Sequence, residues 1–158
     1  MRYVAAGIVL VLITACHKSE APADAKQLAA VLTGDAKGGA DANPVCKLFD
    51  DDEMSKYSGA KLEAGTNAAM GCQWASPDGN GMTMINVVPM QYADSPSGAP
   101  GYRELPELGA TGYVAEDMGG WIAAASQGDE FVKVVVTGPN ASEKTAIALV
   151  QETLKRRH

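Results

Sequence analysis

A chain of 158 residues with a hydrophobic fraction of 46 % has room for one ordinary domain with a core, which excludes wholesale disorder and leaves little length for a second domain. Thirteen basic against nineteen acidic side chains give a formal net charge of −6, so no global field draws in nucleic acid or anionic lipid. The two histidines, His17 and His158, stand near the two ends, which removes most histidine-based catalysis and zinc chemistry from the body of the chain.

Arg2 precedes an unbroken apolar run over residues 3–13. Eleven residues are too few for a membrane-spanning helix, which needs about 20. A short run behind one positive charge fits the h-region of a secretory signal. It ends in Ile13-Thr14-Ala15-Cys16, a branched apolar residue, two small residues and a cysteine. This resembles the lipobox of bacterial lipoproteins. The resemblance implies removal of residues 1–15, attachment of acyl chains at Cys16, and firm anchorage, since two or three chains hold where one is marginal. His17 and Lys18 follow, with no aspartate directly after the cysteine. In a host with two membranes this resembles outer-membrane lipoproteins, on the periplasmic side. The mature side-chain charge becomes −7 once Arg2 is removed.

Residues 16–43 then form the lipidated cysteine and a flexible tether, rich in Ala, Asp, Gly and Lys and without an aromatic residue. Within it, Leu28, Val31 and Leu32 fall at helical spacing over residues 23–33, ahead of Gly34. A single domain is expected over residues 44–158. Asp50 to Glu53 are consecutive acids without the alternate spacing of a calcium loop. They read as a helix start: Asp50 caps, Glu53 stands three residues on, and Gly59 ends the helix.

A strand is predicted over residues 68–75, followed by the turn cluster Ser76-Pro77-Asp78-Gly79-Asn80-Gly81. Alternation over residues 82–88 completes a hairpin. Residues 92–108 contain Pro96, Pro100 and Pro106, too many prolines for an internal strand, and read as a long surface loop. Three more strands are predicted over residues 112–116, 121–126 and 130–137. The last is a dense run of Phe131, Val132, Val134, Val135 and Val136, which marks a central strand. After Gly138-Pro139, Asn140 is the predicted cap of a terminal helix carrying Ala146, Ile147, Val150 and Leu154 on one side. Lys155, Arg156 and Arg157 suit its negative dipole end. The fold class is therefore α+β: an antiparallel sheet of about five strands with an N-terminal and a C-terminal helix packed on one face.

With Cys16 assigned to lipid, Cys46 and Cys72 remain, and an even pair in an exported chain points to a disulfide. Closing a loop of about 27 residues contributes roughly 3.5 kcal/mol in the chain-entropy picture. The alternatives are two free thiols or a metal pair. Cys46-Lys47-Leu48-Phe49, the acidic helix start with Glu53, Cys72-Gln73-Trp74 and residues 105–110 together resemble small bacterial envelope lipoproteins with a Cys…Cys-x-Trp domain of unknown function. The resemblance spans about residues 44–157. It implies an envelope lipoprotein with a disulfide and an α+β domain, and it brings no catalytic residues with it.

Catalysis is not expected. The serines lie in turns or linkers without a Gly-x-Ser-x-Gly elbow, no base is at hand, and Gly119-Gly120 precedes a strand where a phosphate loop needs a helix. No cofactor is implied. One metal alternative exists: Met82 and Met84 place two thioethers on one strand face, and Met70, Met90 or Met118 could join them as a soft Cu(I) site. Methionine as a core filler is the competing reading. The remaining class is a protein-binding or accessory module in the envelope, with a lipoprotein that neutralises a toxin or inhibits an enzyme as a further alternative. Tyr92, Tyr102, Arg103, Tyr113 and Trp121, on or beside the long loop, are the candidate partner contacts.

Overall fold

The computed structural model of the protein describes residues 43–68 and 70–157. The signal run, the lipobox with Cys16 and the tether lie outside the described residues. Asn43 caps a 3-10 turn, Pro44–Lys47, its side-chain oxygen accepting from the Val45 amide at 2.9 Å. Helix α1, Asp51–Ser58, follows with Asp50 as its cap. The capping box is complete: the Asp50 carboxylate accepts from the Glu53 amide and Glu53 accepts from the Asp50 amide. Gly59 ends the helix in the left-handed region at φ 74°, and no side chain fits there because Asn140 is packed against it.

Seven strands are described: β1, Thr66–Ala68; β2, Gly71–Ala75; β3, Met82–Pro89; β4, Arg103–Glu104; β5, Tyr113–Asp117; β6, Gly120–Gln127; and β7, Glu130–Thr137. Helix α2, Glu143–Arg157, closes the described chain. The strands form one sheet in the order β1-β2-β3-β7-β6-β5-β4, with every neighbouring pair antiparallel. The sheet thus has seven strands where about five are predicted. The two additions are the outermost strands, three and two residues long, too short to carry a periodic signal. The predicted strand over residues 68–75 is interrupted at Met70, which takes φ 62° and turns the chain back on itself as a tight β1–β2 hairpin.

The register sorts side chains into two layers. One cluster joins Cys72, Trp74, Ile85, Ala123, Val132, Val134 and Val136 of the sheet with Met54 of α1 and Ala146, Leu149 and Val150 of α2. The alternate positions, Tyr113, Ala115, Ile122, Ala124, Phe131 and Val135, form a second cluster. Met82, Met84, Val88, Met90, Ala93, Ala99 and Tyr102 pack against it. The segment read as a free surface loop therefore contributes to the core. Its prolines sit at turns, Pro106 opening a 3-10 turn, and Leu105 and Leu108 are buried.

The ends of the sheet are distinct. Asn43 hydrogen-bonds the Asn67 side chain at 2.7 Å and the Gly71 carbonyl, which fixes the first described residue at the end holding Gly71, Pro89 and Glu130. The opposite end holds Ala75, Met82, Asp117, Gly120 and Thr137.

Arg156 ties three segments together. Its guanidinium makes a fork-like pair with Glu53 at 2.8 and 2.9 Å, donates to the Leu48 carbonyl at 2.7 Å and to Glu152 at 2.8 Å, and lies 4.2 Å from the centre of the Phe49 ring. Arg157 donates to both oxygens of Glu130 at 2.7 Å. The basic triplet suits a dipole end, and two of its members also carry tertiary contacts.

The predicted cap of α2 is displaced. Ser142 occupies that role, its hydroxyl accepting from the Thr145 amide at 3.1 Å. Asn140 instead donates to the Lys56 carbonyl at 3.0 Å, and its amide donates to the Ser58 carbonyl at 2.9 Å, so it caps the C-terminus of α1 from outside.

Hydrogen bonding to Arg156 holds the Glu53 carboxyl at about 2, well below its ordinary value. A depressed acid favours the folded state most where it is ionised in both states. The contribution is therefore complete above about pH 5 and is lost as the pH falls towards 2. Glu53→Gln is expected to flatten the acid side of the stability profile over that range, read by urea melts at stepped pH. Arg156→Lys, which keeps the charge but not the fork, is expected to cost about 1 kcal/mol at neutral pH, because the pair is partly exposed and screened.

Candidate functional site

Cys46 and Cys72 are disulfide-bonded, with their Cα atoms 5.1 Å apart, so the Pro44–Lys47 turn is stapled to β2. The bond lies in the first cluster beside Trp74. A Cβ placed on Gly65 would meet both the Trp74 indole and the Cys72 sulfur, so that position accepts only glycine. Trp74 is fully buried. These residues build the domain and offer no surface.

Met82, Met84 and Met90 are partly exposed and rest against the second cluster, whose large members are Tyr113 and Phe131, whereas Met70 and Met118 stand apart at positive-φ turn positions. That setting supports thioethers as fillers of an irregular apolar gap. Among the described residues, no group of three or more His, Cys, Asp or Glu side chains is placed to hold a metal ion.

The five candidate partner contacts separate. Tyr113 is buried, 1 % exposed, stacked between Tyr102 at 5.8 Å and Phe131 at 6.4 Å. Its hydroxyl donates to Asp94 at 3.0 Å, and Asp94 also receives Lys133 at 2.6 Å. Burial, with the Asp94 charge second, raises the Tyr113 pKa above the usual phenol range. Tyr113 is thus a core residue with a satisfied hydroxyl, and the surface open to a partner does not include it. Tyr102 is half-buried as part of the same stack and bonded to Ser95 at 3.0 Å. Arg103 is exposed and paired with Glu143 at the start of α2. Tyr92 is exposed at 48 %.

A cavity of about 330 Å³ lies between this segment and the 109–112 turn, lined by Asp94, Tyr102, Glu104 and Thr111. Of its two acids, Asp94 is neutralised by Lys133, and Glu104 is exposed on β4.

Trp121 stands apart from the others. It lies opposite Glu116 in the β5–β6 register, at the end of the sheet away from Asn43. It is half-buried, with the far edge of its ring against Gly101. Around it is a groove of about 630 Å³ where three segments meet: residues 99–100, the β5–β6 hairpin tip and the link from β7 to α2. Pro100, Glu116, Asp117, Met118, Trp121 and Ala141 line it. Glycine makes the floor possible. A Cβ at Gly120 would strike the Val136 carbonyl, and one at Gly138, at φ 118°, would come within 2.6 Å of the Ser58 carbonyl.

Met118 enters the sequence reading only as a further thioether, and its exposed turn position is the feature that reading missed. It is 70 % exposed and sits at φ 51°, in the left-handed region, ahead of Gly119 at φ 76°. Such a two-residue turn favours Asn-Gly, and a longer side chain there costs on the order of 1 kcal/mol. Asp117-Met118-Gly119-Gly120 between two strand patterns was the available signal.

No protein-family model matches this chain, and no curated protein matches it either.

Replacing Met118 by Asn keeps the turn and relieves the backbone. Met118→Asn is expected to raise stability by about 0.5–1 kcal/mol, read as a higher midpoint in urea. An unchanged or lower midpoint would mean that the Met118 side chain contributes packing that offsets its strain.

Proposed function

We propose that this chain is a lipid-anchored protein of a bacterial cell envelope whose domain is a non-catalytic binding module, with its helices on one side of the sheet and the Trp121 groove offered to a protein partner. Several features support the reading. The Ile13-Thr14-Ala15-Cys16 motif follows a short apolar run and a single positive charge. The Cys46–Cys72 disulfide belongs to an oxidising compartment such as the periplasm or the outer surface. In a host with two membranes the anchor would sit on the periplasmic side of the outer membrane.

The single observation that carries the binding role is placement. The tether joins the domain at Asn43, on the end of the sheet that holds Gly71 and Glu130. The groove with Trp121 and the exposed, strained Met118 lies at the other end. An anchored domain entered at one end has its opposite end free for encounter. Strain held at an exposed apolar tip also accords with a functional surface. The basic residues near the Asn43 end do not compete as a lipid patch, because Arg156 and Arg157 are paired with Glu53, Glu152 and Glu130.

The anchor is tested by feeding cells an alkyne analogue of a fatty acid and following the tagged chain. The expected result is label on the wild type in the membrane fraction, and loss of both label and membrane association in Cys16→Ser. Label retained by Cys16→Ser, or wild-type protein recovered only from the soluble fraction, would remove the lipoprotein reading.

A further inference from the structure

We propose that the Trp121 groove takes an arginine side chain from an exposed segment of the protein partner; this deepens the binding role proposed above and rests on it. Three kinds of group converge there. Trp121 supplies a half-buried aromatic ring that packs against the first cluster, with room for it at Gly101, where a side chain would crowd its far edge. Glu116, directly across from Trp121 in the register and on the same face, supplies an exposed carboxylate beside the ring, and Asp117 supplies a second at the hairpin tip, on the alternate face of the strand where it also lines the groove. Among the described residues neither of these acids has an ion-pair partner, as is true of several other surface acids, and here the two stand beside an aromatic ring and apolar walls. Met118, Pro100 and Ala141 supply apolar walls.

That set describes its occupant by complementarity. An anionic or purely apolar ligand would leave the two carboxylates desolvated and unpaired. A positive charge on an apolar stem satisfies both kinds of wall. Arginine fits better than lysine, because its planar guanidinium stacks on an indole while its edge donates to carboxylates in a fork. The long-range field points the same way: a chain of net charge −6 speeds encounter with basic partners. A groove of about 630 Å³ is wide enough for a side chain with its flanking backbone, which favours a peptide segment over a lone small cation.

The chain has two tryptophans, which permits a direct test on the full-length protein. Labelled with fluorotryptophan, it gives one fluorine resonance for Trp121 and one for the fully buried Trp74, which serves as an internal control. The probes are a short alanine-serine peptide with a central arginine, the same peptide with glutamate, and spermidine. The expected result is a saturable shift of the Trp121 resonance with the arginine peptide alone, a still Trp74 resonance, and binding about tenfold weaker in the Glu116→Gln/Asp117→Asn double variant. Both acids are exposed, so this variant keeps its core. No shift at Trp121 up to millimolar peptide, equal affinity in the double variant, or an equal response to spermidine would each overturn the proposal. A photo-crosslinking residue at position 118 in living cells separates the two levels. If adducts form although the peptide fails, the arginine chemistry is wrong and the binding role stands; if neither occurs, both fall.

Discussion

Strand β7 sets the terms for the rest of the molecule. From Phe131 to Val136, apolar side chains point to both sides of the sheet, and five of them are nearly or fully buried. A central strand of this kind is stable only if both faces are covered. Each fully buried aliphatic or aromatic side chain contributes about 1.5–3 kcal/mol relative to exposure, so leaving either face open forfeits several side chains at once. Val132, Val134 and Val136 lie in one cluster with Met54, Ala146, Leu149 and Val150. The cover for Phe131 and Val135 comes from Tyr113 and from the proline-bearing segment that carries Met90, Ala93, Ala99 and Tyr102.

This division of labour explains what is and is not available at the surface. The segment over residues 92–108 has the prolines and tyrosines of a recognition loop, but much of it is committed to the second face. Asp94 holds Tyr113 and Lys133 there by hydrogen bond and ion pair. The N-terminal turn is committed as well, stapled by Cys46–Cys72 and clasped by Arg156 at Leu48 and Glu53. The end of the sheet away from Asn43 is less committed: the β5–β6 tip is exposed there, and Glu116 and Asp117 have no ion-pair partner among the described residues. The turn there is held by Gly119 and strained at Met118, and stability is given up at that point in favour of an exposed side chain.

Much of this was legible in the sequence, for physical reasons that can be named. Alternation over residues 82–88 and the valine run after Phe131 reported strands because their side chains alternate between two layers. Asp50, Glu53 and Gly59 reported α1 because a capping box and a left-handed end need those residue types. The misses have a common cause: they depend on partners far away in the chain. Asn140 and Ser142 are both sound caps locally, and only the proximity of Lys56 and Ser58 assigns Asn140 elsewhere. The turn at Met70 has no residue that favours positive φ, and it is imposed by pairing with β2 and β3. Tyr113 and Trp121 look alike as aromatic residues beside a loop. The register alone puts Tyr113 under Tyr102 and leaves Trp121 beside Glu116 at an open groove. Two-residue β4 carries too little pattern to be read at all.

The 92–102 segment acts as a structural cover for the second face and not as a free recognition loop. The most direct measurement is the equilibrium stability of a variant in which residues 93–101 are replaced by a glycine-serine linker of equal length, with hydrogen exchange followed in β7. The expected result is a loss of at least about 2 kcal/mol, with faster exchange in β5 to β7, because Phe131, Val135 and Tyr113 lose their cover and Asp94 its two bonds. Stability within about 0.5 kcal/mol of the wild type, with β7 protection unchanged, would contradict it and return that segment to the role of an open loop.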